Sequence, residues 1–153
     1  MLKEGDKAPD FTVIDNNGQE VTLKDFKGRD IVLYFYPRAN TPGCTTETCE
    51  FRDHYQAVRR KGAVILGMSA DSPGAQSRFA TKYSVSFPLL CDEGKKVLKA
   101  YGVWKEKSLY GRKFMGIERT TFIIDREGKI KKIFPKVKVK GHAAEVLKVL
   151  GQK

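Results

Sequence analysis

The sequence predicts an α/β fold, a central mixed sheet flanked by helices, with a β-hairpin added at the N-terminus. Three observations carry this. Two continuous apolar runs, Ile31 to Tyr36 and Ala63 to Ser69, read as buried strands. Each precedes a helix-start signal, Thr41-Pro42 and Ser72-Pro73, in which an N-cap residue is followed by a proline whose missing N–H costs nothing there. Late in the chain, Arg119 to Ile124 and Lys129 to Phe134 flank Asp125-Arg126-Glu127-Gly128 as a second hairpin, and a last helix follows.

Taken in order, Phe11 to Ile14 and Val21 to Leu23 flank Asp15-Asn16-Asn17-Gly18, a hairpin with an Asn-Gly turn. The strand Ile31 to Tyr36 is broken by Pro37. The helix after Thr41-Pro42 carries Phe51, Tyr55 and Val58 on one face and reaches about Arg60. Ala63 to Ser69 is the second buried strand, and the helix begun at Ser72-Pro73 ends near Tyr83. Phe87 to Leu90 is a short strand and Glu93 to Tyr101 a short helix. Gly102 to Glu118 reads as a long irregular segment, a mobile surface loop. Ala143, Val146, Leu147 and Leu150 give the last helix its apolar face. Strand–helix–strand–helix, then a hairpin and a helix, is the thioredoxin-like order. With 153 residues, 41% of them apolar, the chain reads as one domain, 1–153, able to bury ~70% of its unfolded surface.

Composition narrows the function. No apolar run approaches the ~20 residues of a membrane span, so no membrane partner is expected. Met1 to Asp6 has no hydrophobic h-region, so no secretory signal is read there. Three cysteines, an odd number without an extracellular framework, favour a reducing compartment, read as the cytoplasm. The net charge is +11, and Lys129 to Lys153 holds eight lysines against one acid, Glu145. The expected reading is a solvated surface, with Lys136-Val137-Lys138-Val139-Lys140 protecting an edge strand. Without an aromatic ladder or a nucleic-acid motif, no specific nucleic acid is expected, only weak electrostatic association at low salt. No exposed heptad or long apolar stripe demands a partner, so a monomer is expected.

The chemistry concentrates in Thr41-Pro42-Gly43-Cys44-Thr45-Thr46-Glu47-Thr48-Cys49. Cys44 falls in or just before the first helical turn, where unpaired N–H groups and the helix dipole favour a thiolate. A cysteine at such a strand-to-helix junction is a nucleophile candidate. Cys49 lies five residues on, so this is not the C-x-x-C of a disulfide reductase. Cys44 shares the buried stripe of Thr48, Phe51, Tyr55 and Val58, whereas Cys49 is rotated roughly 140° away, among Asp53, Gln56 and Arg60. Within one helix the two Cα atoms are ~8.7 Å apart, beyond the ~7 Å a disulfide spans. Two readings fit: unrelated helical thiols, or a cycle in which the first is oxidised alone and the second resolves it after local unfolding.

Tyr34-Phe35-Tyr36-Pro37-Arg38-Ala39-Asn40-Thr41-Pro42-Gly43-Cys44-Thr45 resembles the peroxidatic loop of peroxiredoxins, and the second cysteine five residues later resembles the peroxiredoxin Q, or bacterioferritin comigratory protein, subfamily. The likeness extends to Gly5-Asp6-Lys7-Ala8-Pro9-Asp10-Phe11, to Tyr110 to Asp125, and to Gly141 to Leu147. The resemblance implies a thiol peroxidase acting on hydrogen peroxide and organic hydroperoxides without a cofactor, recycled by thioredoxin or a similar dithiol. It implies Cys44 as peroxidatic and Cys49 as resolving cysteine, joined in an intramolecular disulfide, with Thr41, Pro37 and Arg119 completing the peroxide site. Arg119 would depress the Cys44 pKa and, with the N–H groups around Gly43 and Cys44, stabilise charge on the peroxide oxygens. Taken without the resemblance, Arg119 is a surface arginine flanking a strand.

The remaining residues have plainer readings. Cys91, at a strand end, is a structural thiol. His54 and His142 pair with no carboxylate and no second ligand at metal spacing, so no metal is assigned. Trp104 anchors the loop. Competing functions are a thiol–disulfide oxidoreductase of thioredoxin-like fold, disfavoured by the missing C-x-x-C, and a basic binding module, which leaves Thr41, Cys44 and Arg119 without a purpose. Peroxide consumption with a thioredoxin reductant separates the three.

Overall fold

The computed structural model describes residues 2–150. Its strands are β1 (Thr12–Asp15), β2 (Glu20–Thr22), β3 (Asp30–Phe35), β4 (Ala63–Ser69), β5 (Leu89–Cys91), β6 (Trp104–Leu109), β7 (Arg112–Ile117), β8 (Thr120–Ile124) and β9 (Ile130–Phe134). Its helices are α1 (Pro42–Arg60), α2 (Pro73–Lys82), α3 (Lys96–Ala100) and α4 (His142–Leu150). A seven-stranded mixed sheet runs in the order β2-β1-β5-β4-β3-β8-β9. The centre is parallel at β3–β4 and β4–β5, and antiparallel pairs flank it. The expected elements are present, with ends shifted by one or two residues except at α3, which is shorter than expected.

Burial on both faces explains the unbroken apolar runs. Side chains alternate across the strand, so Leu33 and Phe35 face one core, with Leu66, Met68 and Phe122. Val32, Tyr34 and Tyr36 face the other, against α1 and α4 through Phe51, Val58, Ala143 and Val146. Gly67 in β4 makes room at one point: a Cβ there would lie 2.9 Å from the Tyr34 hydroxyl oxygen. Tyr34 can therefore lie across β4 and reach α1, where its hydroxyl meets Thr48 Oγ1 at 2.9 Å.

Two expectations fail. Gly102 to Glu118 is not an irregular loop but a β-hairpin, β6–β7, paired from Trp104↔Ile117 to Leu109↔Arg112 as a sheet of its own. The segment lacks the alternation that marks a half-buried strand, because most of it stands clear of the core: only Ile117 of β7 is buried. Lys136 to Lys140 is not an edge strand either. β9 is the edge and ends at Phe134; beyond Pro135 the chain turns toward α4, with Lys136 at φ 48°. Val137 N–H still donates to the Arg119 carbonyl at 2.9 Å, which ties this connection to the start of β8.

Candidate active site

The strand-to-helix junction between β3 and α1 builds the site. Thr41 is extended (φ −96°, ψ 156°) and Pro42 takes the first helical position. The Thr41 hydroxyl does not cap the helix; it donates to the Arg38 carbonyl at 2.8 Å. Pro42 has no N–H, and the N–H groups of Gly43 and Cys44 lie in the first turn, where the helix supplies no acceptor. The preceding loop is pinned from α2's side of the sheet: Ala39 N–H donates to Asp71 at 2.8 Å and the Tyr83 hydroxyl to Asn40 at 3.3 Å. Pro37 and Pro42 are exposed at its two ends, and Asn40 carries the left-handed φ of 62° that closes it.

Cys44 is buried at the head of α1. Arg119, remote in sequence, reaches it because β8 runs antiparallel to β3 with Thr120 opposite Phe35. Arg119 precedes that pair, beside the point where the chain leaves β3. Its Nη2 donates to Cys44 Sγ at 3.2 Å and its Nη1 to Glu47 Oε1 at 2.6 Å. Gly43 permits the approach: a Cβ there would lie 3.2 Å from Nη2. Burial opposes the Arg119 charge, but the charges of Glu47 and Cys44 outweigh it and hold the guanidinium protonated.

Glu47 is the functional residue that pattern reading missed. It is 1% exposed, one turn after Cys44, and its Oε2 has no hydrogen-bond partner among the described residues. Burial pushes its carboxyl up to about 7 from 4.5, against the opposing pull of Arg119 and with a small push from Glu50. The available signal was position: a residue three after Cys44 must share its helix face. A charged residue on a buried face needs a partner, and Arg119 is that partner.

Both cysteines lie in α1, and both are free thiols. Cys44 is buried and Cys49 half-buried, on different faces as expected. Cys91 ends β5 in a buried setting, and burial pushes its thiol up to about 12, which suits an inert structural thiol. His142 corrects the reading that it has no carboxylate partner. Its Nδ1 lies 3.0 Å from Glu145 Oε1 and its Nε2 2.8 Å from Thr121 Oγ1. The start of α4 packs the ring edge-on to Phe51 and Phe134, which places Glu145, one turn on, beside it. Burial holds the His142 pKa below its ordinary value, although Glu145 works the other way.

Residues 4–133 match the AhpC/TSA family model. The chain is 49% identical over 149 residues to peroxiredoxin Bcp of Bacillus subtilis, covering 97% of this chain and 95% of that protein. It is 44% identical to peroxiredoxin Bcp of Escherichia coli over 146 residues, covering 95% and 94%. This chain belongs to the AhpC/TSA family, in its peroxiredoxin Bcp/Q branch. A cysteine-to-serine variant of Xylella fastidiosa PrxQ superposes with a TM-score of 0.93 at 36% identity, covering 98% of this chain and 96% of that one. Xanthomonas campestris bacterioferritin comigratory protein, whose structures concern alkyl peroxide reduction, gives 0.88 at 39% identity, covering 92% and 89%. The thioredoxin-like fold expected from the order of elements is therefore the fold of this chain. Among the described residues, no helix is long and apolar enough to cross a membrane.

Proposed function

We propose that this protein is a thiol peroxidase in which Cys44 reduces hydrogen peroxide and organic hydroperoxides, Cys49 resolves the product, and thioredoxin or a similar dithiol recycles the disulfide. The observation that carries this reading is the Arg119 fork, which donates to Cys44 Sγ and to the buried Glu47 at once. A guanidinium in van der Waals reach of a thiolate compensates its charge, and Glu47 fixes the plane of the fork.

The thiolate attacks the terminal oxygen of the hydroperoxide. The S–O bond forms as O–O breaks, Cys44 becomes a sulfenic acid, and the departing alkoxide or hydroxide takes a proton to leave as alcohol or water. Arg119 and the Gly43 and Cys44 N–H groups stabilise the charge that moves onto the departing oxygen. The Thr41 hydroxyl has spent its proton on Arg38, so toward a peroxide O–H its oxygen acts as acceptor. Pro37 ends the strand and, with Pro42, stiffens the loop that carries Thr41.

Cys49 cannot reach Cys44 while α1 is intact. The first turns must unwind, after which the Cys49 thiolate attacks the Cys44 sulfur and hydroxide leaves. Phe51 sets the near limit of that unwinding. It is fully buried, with its ring 4.6 Å from that of Tyr34, and exposing it would cost ~2–3 kcal/mol. Melting from Pro42 through Cys49 breaks the Arg119 and Tyr34 contacts to Cys44, Glu47 and Thr48 but spares Phe51. The disulfide then stands where a dithiol can attack it. The protein acts as a monomer, and the cycle suits the cytoplasm, where dithiol reductants operate. Steady peroxide consumption with thioredoxin and its reductase tests the reading. Cys44→Ser should abolish turnover; turnover at the wild-type rate would overturn it.

A further inference from the structure

We propose that the β6–β7 hairpin is a docking surface for an anionic lipid bilayer. Five large apolar side chains of the described residues are exposed, and four of them lie in this hairpin: Leu109 at 57%, Tyr110 at 97%, Phe114 at 46% and Met115 at 49%. Tyr110 and Gly111 form its two-residue turn, with φ values of 51° and 77°. The turn geometry sets the left-handed φ of Tyr110, and its side chain, nearly fully exposed, packs against little of the fold.

The arrangement favours a bilayer over a protein partner. Cross-strand pairs share a face of the ribbon, so Leu109 and Phe114 lie on one face, with Arg112 and Lys107, and Met115 lies on the other, with Glu106. Exposed apolar side chains therefore lie on both faces of the ribbon near its tip. A lipid interface takes in the whole tip, and Phe114 lies only about 10 Å behind the turn at the strand rise of ~3.3 Å per residue, within the depth an interfacial element reaches. The charges complement an anionic surface. Lys105 and Lys113 have the carboxylate partners Glu118 and Glu106, whereas Arg112 and Lys107 have none within ion-pair distance among the described residues. The chain as a whole carries +11. An aromatic tip ringed by cations is the pattern of a surface-seated element, not of a spanning one. It is therefore compatible with the absence of a spanning helix among the described residues.

The hairpin also borders the peroxide site. Lys107 feels the charges of Arg119 and Cys44, and burial together with Arg119 holds its pKa below the ordinary lysine value.

Co-sedimentation of the full-length reduced protein at physiological salt tests this, with vesicles of phosphatidylcholine alone and of equal parts phosphatidylcholine and phosphatidylglycerol. The wild type should bind the phosphatidylglycerol vesicles and not the neutral ones. Tyr110→Asn with Phe114→Thr keeps a left-handed turn residue and should weaken binding about tenfold or more. Arg112→Glu with Lys113→Glu should weaken it at least as much, because each cation contributes separately. Lys138→Glu with Lys140→Glu changes the net charge equally but should leave most of the binding. Unchanged reaction of the hairpin variants with hydrogen peroxide in solution verifies that they are folded. No binding by the wild type would overturn the proposal, as would equal losses from the two charge-reversed pairs. Hairpin variants that bind vesicles normally but lose turnover with thioredoxin would also overturn it and make the hairpin a protein-docking face.

Discussion

Replacing Glu47 by glutamine should flatten a pH dependence of stability that the wild type carries. The carboxyl sits at about 7 in the fold and has an ordinary value of 4.5. Between those values the folded state binds the proton and the unfolded state does not. Stability therefore falls as pH rises through this window, at ~1.4 kcal/mol per pH unit at most, and levels off above it. The full loss is about 3 kcal/mol. His142 acts with the opposite sign: its depressed pKa favours the folded state above the unfolded value of ~6.5, and that contribution is lost on acidification. The two partly cancel in the wild type, so the informative quantity is the difference between proteins. Glutamine keeps an oxygen for the Arg119 Nη1 bond and the side-chain volume but cannot titrate. Urea unfolding of both reduced proteins from about pH 5 to about pH 8 should show the wild type losing about 2.5 kcal/mol relative to Glu47→Gln. Parallel curves would mean that Glu47 does not change its protonation in this range and that its buried charge is fully held by Arg119.

Arg119→Met removes the donors to both Cys44 and Glu47, and should slow peroxide attack ~10²–10³-fold while slowing alkylation by iodoacetamide far less, since alkylation needs only the thiolate; stopped-flow rates for both reagents check this, and equal losses would leave Arg119 a role in ionisation alone. Gly43→Ala fits the backbone, and alanine favours the helix by up to ~1 kcal/mol, yet its methyl presses on Arg119 Nη2; slower peroxide attack together with slower disulfide formation is expected, and peroxide attack at the wild-type rate would show that Arg119 can give way. In the oxidised protein, amide exchange should speed up from residue 43 to 49 while β3 and β4 stay protected; unchanged exchange there would contradict unwinding.

What could be read from sequence was mostly local. Cys44, Cys49 and the helix that separates them follow from Thr41-Pro42 and a helical period, and both cysteines do lie in α1. Arg119 was legible only through family resemblance, since nothing local to it says that β8 pairs with β3 and delivers it to Cys44. Glu47 was overlooked because charged residues usually mark the solvated face of a helix; its burial depends on that same remote arginine. The β6–β7 hairpin was misread for the opposite reason. Strands are recognised by the core they cover, and Lys105, Lys107 and Lys113 cover none, while Tyr110-Gly111 is a weaker turn signal than Asn-Gly. The carboxylate partner of His142, Glu145, stood three residues on and was readable from helical spacing; only the contact with Thr121 is tertiary.

One titration tests the assignment of Cys44 as the nucleophile and Cys49 as its resolving partner. Reduced protein is treated with a single equivalent of hydrogen peroxide in the absence of any other thiol, and its intact mass and peptide map are read. The wild type should lose two hydrogens as a Cys44–Cys49 disulfide, Cys49→Ser should gain one oxygen at Cys44, and Cys44→Ser should be unchanged. Oxidation of Cys44→Ser at the wild-type rate, or oxygen found first on Cys49 or Cys91, would contradict it.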